Sequence, residues 1–361
     1  MPSEQAKTKA PTLTTAIFGF VALALALAAS VSWYLVSDRG SQFRRDALAE
    51  AVTVRARGLQ VDFARALHQE WRHARTIAED IVGRGPEAVR SSLDLVVGDS
   101  SRVSWAGIAA LDGTVTMASG RLLEGQDVSQ RPWFQRGLEG DFAGDVHEAV
   151  LLAKLLPSQS GEPRRFLDLA TPIRNQDGAV SGVLGLHLDQ AWASRHLRDS
   201  AQAMGLDVFL IDRSGTVVIG TKDEIETLDL PSTRAAMAGV AFTSLETWTD
   251  GQEYFTTVIP QVSYEDLPAF GWSMVARIDN NAVSVTTPMS SLVIIPAAFV
   301  VGLLLMTLLF VRLFADPFRN LANTAAAVMK GQDVYPYESR STAEAQTLSA
   351  ALALLQGRSK R

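Results

Sequence analysis

No charged residue stands between Lys9 and Asp38, and none between Asp279 and Arg312. These two gaps constrain the 361-residue chain more than any motif within it. The first holds the apolar run Ile17–Val36 and the second the run Leu292–Phe310. Twenty residues of helix span about 30 Å, the thickness of a hydrocarbon core. Trp33 and Tyr34 sit near one end of the first run, where amphipathic rings prefer the headgroup layer. The pattern predicts transmembrane helices at 15–37 and 291–313. A cleaved signal peptide, with Lys7 and Lys9 as its basic region and Ala26-Leu27-Ala28 as its cleavage site, accounts for less, because the run continues to Val36. Lys7 and Lys9 before the first span, and Arg312 and Arg319 after the second, predict cytoplasmic termini (1–14 and 358–361) in a multi-pass inner-membrane protein. Arg39, Arg44 and Arg45 argue weakly for the opposite orientation.

That topology exports residues 38–290 to the periplasm or cell exterior. The net charge is −6, yet residues 1–14 carry +1 and residues 312–361 carry +3, leaving −10 for the part between. An acidic exterior argues against nucleic acid as a partner. The absence of cysteine excludes disulfide scaffolds, thiol nucleophiles and thiolate metal centres. With 47% hydrophobic and 20% charged residues, the chain is too apolar for disorder.

Within the exported part, 38–82 contains no proline and reads as one long helix. Leu59, Phe63, Leu67, Trp71, Ala74, Ile77 and Ile81 form an apolar stripe. Two passages then share one grammar. Ile108–Ser119 and Val208–Thr221 each run strand, Asp, Gly-containing turn and Thr-Val strand, with Asp112 and Asp212 exactly one hundred positions apart. Each unit closes on a further pair of strands, Phe166–Asp189 and Tyr254–Asp279. The period predicts two similar modules in tandem, 83–200 and 201–290, each an antiparallel sheet of about five strands with helices on one side. The fold class is α+β.

A long exported helix, two sheet modules and a return to the membrane resemble the double Cache sensor domain, a PAS-like fold of bacterial receptors. The resemblance covers roughly residues 38–290. Its most specific element is Arg131-Pro132-Trp133-Phe134 leading into a short helix that ends at Gly140. Gly182–Gly185 and Gly271-Trp272 are also typical, and the order of these pieces carries the resemblance. It implies a small-molecule ligand in the membrane-distal module 83–200. Arg131 is the candidate fork for a carboxylate or phosphate, and Trp105, Trp133 and Phe134 are the candidate walls. Asp127, Asp145, His147 and Asp168 are the polar groups in reach. Amino-acid-binding members use tyrosines and an aspartate, whereas this chain has no tyrosine between Tyr34 and Tyr254 and reads Ser158–Glu162 without the aspartate. A small carboxylate or other anion is therefore expected. No cofactor and no metal centre is expected, although His187 and Asp189 share a strand face that could hold a cation. His68 and His73 on the long helix are expected to be solvated.

After the second span, Asp316-Pro317 predicts a break. Leu321, Ala325, Val328 and Met329 mark one amphipathic helix, and Leu348, Ala351, Leu352 and Leu355 mark another beyond a turn-rich connector. Residues 314–357 resemble a HAMP linker, which implies a homodimeric four-helix bundle. No Gly-x-Ser-x-Gly elbow, His-Glu-x-x-His or P-loop is present, so no enzyme is expected. The expected function is signal transduction by a membrane-bound receptor, in contact with lipid and acting through a cytoplasmic signalling protein or a fused output domain. A fragment of a larger kinase, cyclase or chemoreceptor, a membrane-anchored periplasmic enzyme and a structural protein are the alternatives.

Overall fold

The computed structural model describes residues 13–148, 152, 155–156, 164–222, 228–280, 289–335, 337–339 and 343–359. Lys7, Lys9 and the loop Ser158–Glu162 lie outside the described residues. Arg45–Ser284 form one compact unit, and Met1–Arg44 with Val285–Arg361 form another.

The first unit is α+β. Helix α1 (Leu13–Asp80), from Arg45 onward, supplies its spine, followed by α2 (Pro86–Val97). Strands β1 (Val103–Ala110) and β2 (Val115–Ala118) lead to α3 (Pro132–Glu139), β3 (Phe142–Glu148), β4 (Arg165–Arg174) and β5 (Val180–Asp189). Helix α4 (Gln190–Met204) opens the second module, which continues through β6 (Asp207–Ile211), β7 (Val217–Gly220) and α5 (Pro231–Met237). Strands β8 (Phe242–Thr247), β9 (Glu253–Ile259) and β10 (Ser273–Asp279) complete it. The two sheets have the same antiparallel order, β2-β1-β5-β4-β3 and β7-β6-β10-β9-β8. Their first hairpins turn by the same chemistry. Asp112 accepts from the Thr114 N–H at 2.9 Å, and Asp212 from the Ser214 N–H at 2.8 Å.

Leu48, Val52, Ala56, Leu59, Phe63, Leu67, Trp71 and Ala74 of α1 are buried along one stripe. They share a core with Leu184, Leu186 and Leu188 of β5 and with Met274, Ala276 and Ile278 of β10. Alternation along β5 turns Val183 to the other face, where α3 brings Trp133 and Phe134. Phe209, Ile211 and Val275 face α5 likewise. Helices therefore cover both faces of each sheet. The expectation of helices on one side fails because strands buried on both faces need an apolar cover on each.

His68 is buried, not solvated. Its Nε2 donates to Asp266 Oδ1 at 2.7 Å, a residue of the loop between β9 and β10. His73 is half-buried, with Nδ1 3.2 Å from Glu70 Oε2. Asp189 caps α4 by accepting from the Trp192 N–H at 3.0 Å. That employs the carboxylate read from the sequence as a cation partner of His187.

In the other unit, helix α6 (Met289–Phe310) passes through a π-helical turn (Val311–Ala315) into α7 (Asp316–Met329). The expected break at Asp316-Pro317 is absent. The wider turn sits just where proline cannot donate to the preceding carbonyls, and Pro317 occupies the start of α7, where no donor is required. Helix α8 (Ala343–Ser359) buries Ala345, Ser349 and Gln356, while Leu348, Leu354 and Leu355 are exposed. Its Gln356 Nε2 donates to the Val334 carbonyl at 2.6 Å, so the connector docks on the polar side of α8. Among the described residues, no helix is long and apolar enough to cross a membrane. Side chains of part of each apolar run lie outside the described residues.

Two outcomes follow from this core. Leu67→Ala removes a fully buried side chain from the stripe and is expected to cost about 2–5 kcal/mol, read as a lowered urea midpoint of the purified chain. The hydrogen bond from His68 holds the Asp266 carboxyl below its ordinary value against the opposing effect of burial. A depressed carboxyl stabilises the fold above the ordinary carboxylate range and loses that contribution as pH falls through its folded value. Amide hydrogen exchange, corrected for intrinsic rates, is therefore expected to accelerate in the 262–272 loop as pH is lowered from about 7 to about 3.

Candidate functional site

The sheet of the first module places a polar row across its α3-facing side. The register pairs Gly144 of β3 with Asp168 of β4, Asp168 with His187 of β5, and His187 with Trp105 of β1. Above this row lies α3. Two glycines set its height. A Cβ on Gly137 would stand 2.5 Å from Val183, and one on Gly185 would stand 2.7 Å from the Trp133 ring. Only hydrogen at these positions lets α3 and its tryptophan lie on the sheet. Trp133 meets Trp105 edge-to-face with ring centres 5.9 Å apart. The Trp105 Nε1 donates to the Leu122 carbonyl at 3.0 Å, which leaves its ring face to the cavity.

Between α3, β3 and the row is a cavity of about 280 Å³. Of the residues singled out by sequence, it gathers Trp105, Arg131, Trp133, Asp145, His147 and Asp168. Arg131 precedes α3 and is exposed at the rim; among the described residues it makes no ion pair. Phe134 does not line the cavity. It is buried behind Trp133, at 6.1 Å between ring centres, because the helical turn points successive residues in different directions. Asp127 does not line it either. Its carboxylate accepts from the Ser129 backbone N–H at 2.8 Å, which holds its pKa below the ordinary value, and it shapes the loop before α3.

Asp145 and Asp168 are both engaged. Asp145 Oδ1 accepts from the Val146 N–H at 2.7 Å and from the Trp272 Nε1 at 2.8 Å. Trp272 belongs to the second module and stacks on Phe270 with centres 4.5 Å apart. One wall of the cavity is thus tied to the neighbouring sheet. Asp168 Oδ1 lies 2.5 Å from His187 Nδ1, and its Oδ2 lies 3.6 Å from His147 Nε2. Asp168 and His187 are buried, and His147 is partly exposed.

His187, read from the sequence as a cation partner of Asp189 and not as a ligand-binding residue, also lines the cavity. Strand alternation with Val183 and Gly185 was the available signal, but cross-strand pairing with Asp168 was not readable. The second module shows what its position is worth. Arg277, two residues before Asp279 as His187 is two before Asp189, fills the corresponding face. Its guanidinium lies 3.9 Å from the Tyr254 ring centre and 4.2 Å from that of Trp248, and pairs with Asp207 at 3.1 Å. A long cation packed on aromatic rings stands in one module where a short imidazole stands in the other.

No family model matches the sequence, and no curated protein matches it. Solved structures of similar fold include the ligand-binding domain of Campylobacter jejuni chemoreceptor Tlp3 in complex with 4-methylisoleucine. It is 13% identical over 66% of this chain and 94% of that one, with a TM-score of 0.49. The ligand-binding domain of the Pseudomonas aeruginosa amino acid chemoreceptor PctB, in complex with L-arginine, is 17% identical over 68% of this chain and 92% of that one, TM-score 0.49. An extracellular ligand binding receptor from Desulfohalobium retbaense is 14% identical, TM-score 0.47; the match covers 64% of this chain and only 40% of that one.

Proposed function

We propose that the chain is a membrane-bound, non-enzymatic receptor whose first module binds a small carboxylate or other anion outside the cytoplasm. The observation that carries this reading is the Arg131 guanidinium, without an ion pair among the described residues, at the rim of an aromatic-walled cavity whose acidic groups are already engaged. A planar fork of donors beside Trp133 suits a carboxylate in both charge and shape. About 280 Å³ suits a metabolite-sized ligand, close to the lower end of ligand pockets in general.

The membrane reading draws on exposed apolar side chains. Leu23, Leu27 and Trp33 of α1, and Phe299, Leu304, Leu305 and Met306 of α6, are far more exposed than water favours, and lipid would cover them. Leu348, Leu354 and Leu355 of α8 and Met329 of α7 supply the apolar contacts of a homodimeric HAMP-like bundle. Binding at Arg131 shifts the contact between Asp145 and Trp272. The change then passes along β10 and α1 to that bundle, and from it to a cytoplasmic partner or output domain.

The purified full chain in detergent, titrated with small mono- and dicarboxylates and with amino acids, tests the ligand. A saturable rise in melting temperature with carboxylates is expected. Arg131→Ala is expected to weaken binding by about 10- to 100-fold, the worth of a charge-assisted hydrogen-bonded pair. Absence of a response to every anion overturns the reading. Trp272→Phe keeps the ring against Phe270 and deletes the donor to Asp145. It is expected to leave affinity within a few-fold of the parent while abolishing ligand-induced hydrogen-exchange protection in β10.

A further inference from the structure

His147, Asp168 and His187 bring three metal-ligating groups to the floor of the cavity. Their donor atoms all lie within 4.8 Å of one another. We propose that they bind a divalent transition-metal ion of the Zn2+ class, which anchors the anionic ligand together with Arg131. The proposal deepens the reading of this cavity as the ligand site.

The orientation of His147 carries the argument. Its Nδ1 lies 3.1 Å from the Asp145 backbone carbonyl oxygen, which can only accept, so the ring proton sits on Nδ1. In the neutral ring Nε2 then presents a lone pair to Asp168 Oδ2, 3.6 Å away. Two acceptors face each other across a gap that a cation completes. Imidazoles bound to metal ions are held in this way, with the second ring nitrogen donating to a carbonyl or carboxylate. The carbonyl here belongs to Asp145, whose side chain is fixed in turn by Trp272 and the Val146 N–H.

The remaining two donors need little movement. Metal–nitrogen and metal–oxygen bonds of about 2.0–2.2 Å put neighbouring donors roughly 3–3.5 Å apart. The 2.5 Å and 3.6 Å separations around Asp168 bracket that range. Ligation at His187 Nδ1 requires the tautomer with its proton on Nε2, so the one ring proton moves from Nδ1, where it faces Asp168, to Nε2 and the imidazole stays neutral. Among the described residues, Asp168 is paired only with these imidazoles and no lysine or arginine, so a buried carboxylate lacks a permanent cation. Two imidazoles and one carboxylate suit zinc, cobalt or nickel; magnesium and calcium prefer oxygen alone. Positions not taken by protein face the cavity, where a carboxylate oxygen would complete the coordination.

A second group, His68 with Glu265 and Asp266, serves as the control. Arg75 already pairs with Asp266 there, so a cation has less to gain.

The test uses the tag-free full chain in detergent, stripped with EDTA, dialysed and titrated with Co2+ and Zn2+, with Mg2+ and Ca2+ for comparison. One equivalent of Co2+ is expected to bind with visible d–d bands and to be displaced by Zn2+. His147→Ala, at the partly exposed edge of the group, is expected to lower affinity by at least about tenfold with the metal-free melting temperature retained. His68→Gln is expected to leave binding unchanged. No stoichiometric uptake, or uptake that survives His147→Ala, overturns the metal site. Carboxylate binding that persists undiminished in EDTA without metal uptake overturns it too and leaves the anion site standing. Metal uptake lost in His147→Ala, without any response to carboxylates, supports the metal site and overturns the anion reading.

Discussion

The apolar stripe of α1 is the constraint on which the Arg45–Ser284 unit depends. Each five-stranded sheet has two apolar faces, and one face of each is buried against the same helix. Leu48, Leu59, Phe63, Leu67 and Trp71 are almost wholly removed from water, and each such side chain contributes roughly 1.5–3 kcal/mol by burial. Because one helix backs both sheets, their separation is set by its rise and not by a flexible linker. The remaining face of each sheet is then free to differ, and function has room there.

That freedom is where the two modules part. They share strand order, hairpin chemistry and an aspartate at the end of the last strand. On the outer face, β10 carries Arg277 and β5 carries His187. Arg277 is held by Tyr254, Trp248 and Asp207. His187 is shorter and lies 5.0 Å from the Trp105 ring centre, so space opens between it and α3. One register position thus carries a cation packed on aromatic rings in one module and an imidazole paired with a carboxylate in the other.

Much of this was legible from sequence because it follows from periodicity. The stripe on α1, the two hairpins and the tandem sheets come from spacing alone, and Arg131-Pro132-Trp133 marked the helix above the cavity. What was not legible depends on pairing between distant segments. His68 looked solvated until the loop carrying Asp266 closed over it, and Asp189 looked like a ligand until α4 began beside it. Phe134 and Asp127 stood next to true lining residues in sequence but turn away, one into the core and one into its own loop. His187 was matched with Asp189 for the converse reason, since its partner Asp168 lies nineteen positions upstream on another strand. The continuous path through Pro317 depends on a π-turn, which leaves no compositional trace.

The Asp145–Trp272 contact gives the cavity a route to the second module that a ligand can bias. Asp145 lines the cavity, and its Oδ1 accepts from Trp272. Its backbone carbonyl also fixes His147. Anything bound beneath α3 therefore meets a residue whose remaining bond ends on the loop leading into β10. A ligand moves such an equilibrium only by the difference in its affinity for the two arrangements. One charge-assisted hydrogen bond made in one arrangement and lost in the other is worth about 1–3 kcal/mol, the usual scale of coupling between sites. Direct contact through a shared carboxylate is sufficient for a coupling of that scale, without a large rearrangement of the sheets. The core that packs β10 also packs α1, so a displacement at β10 would meet the helix directly.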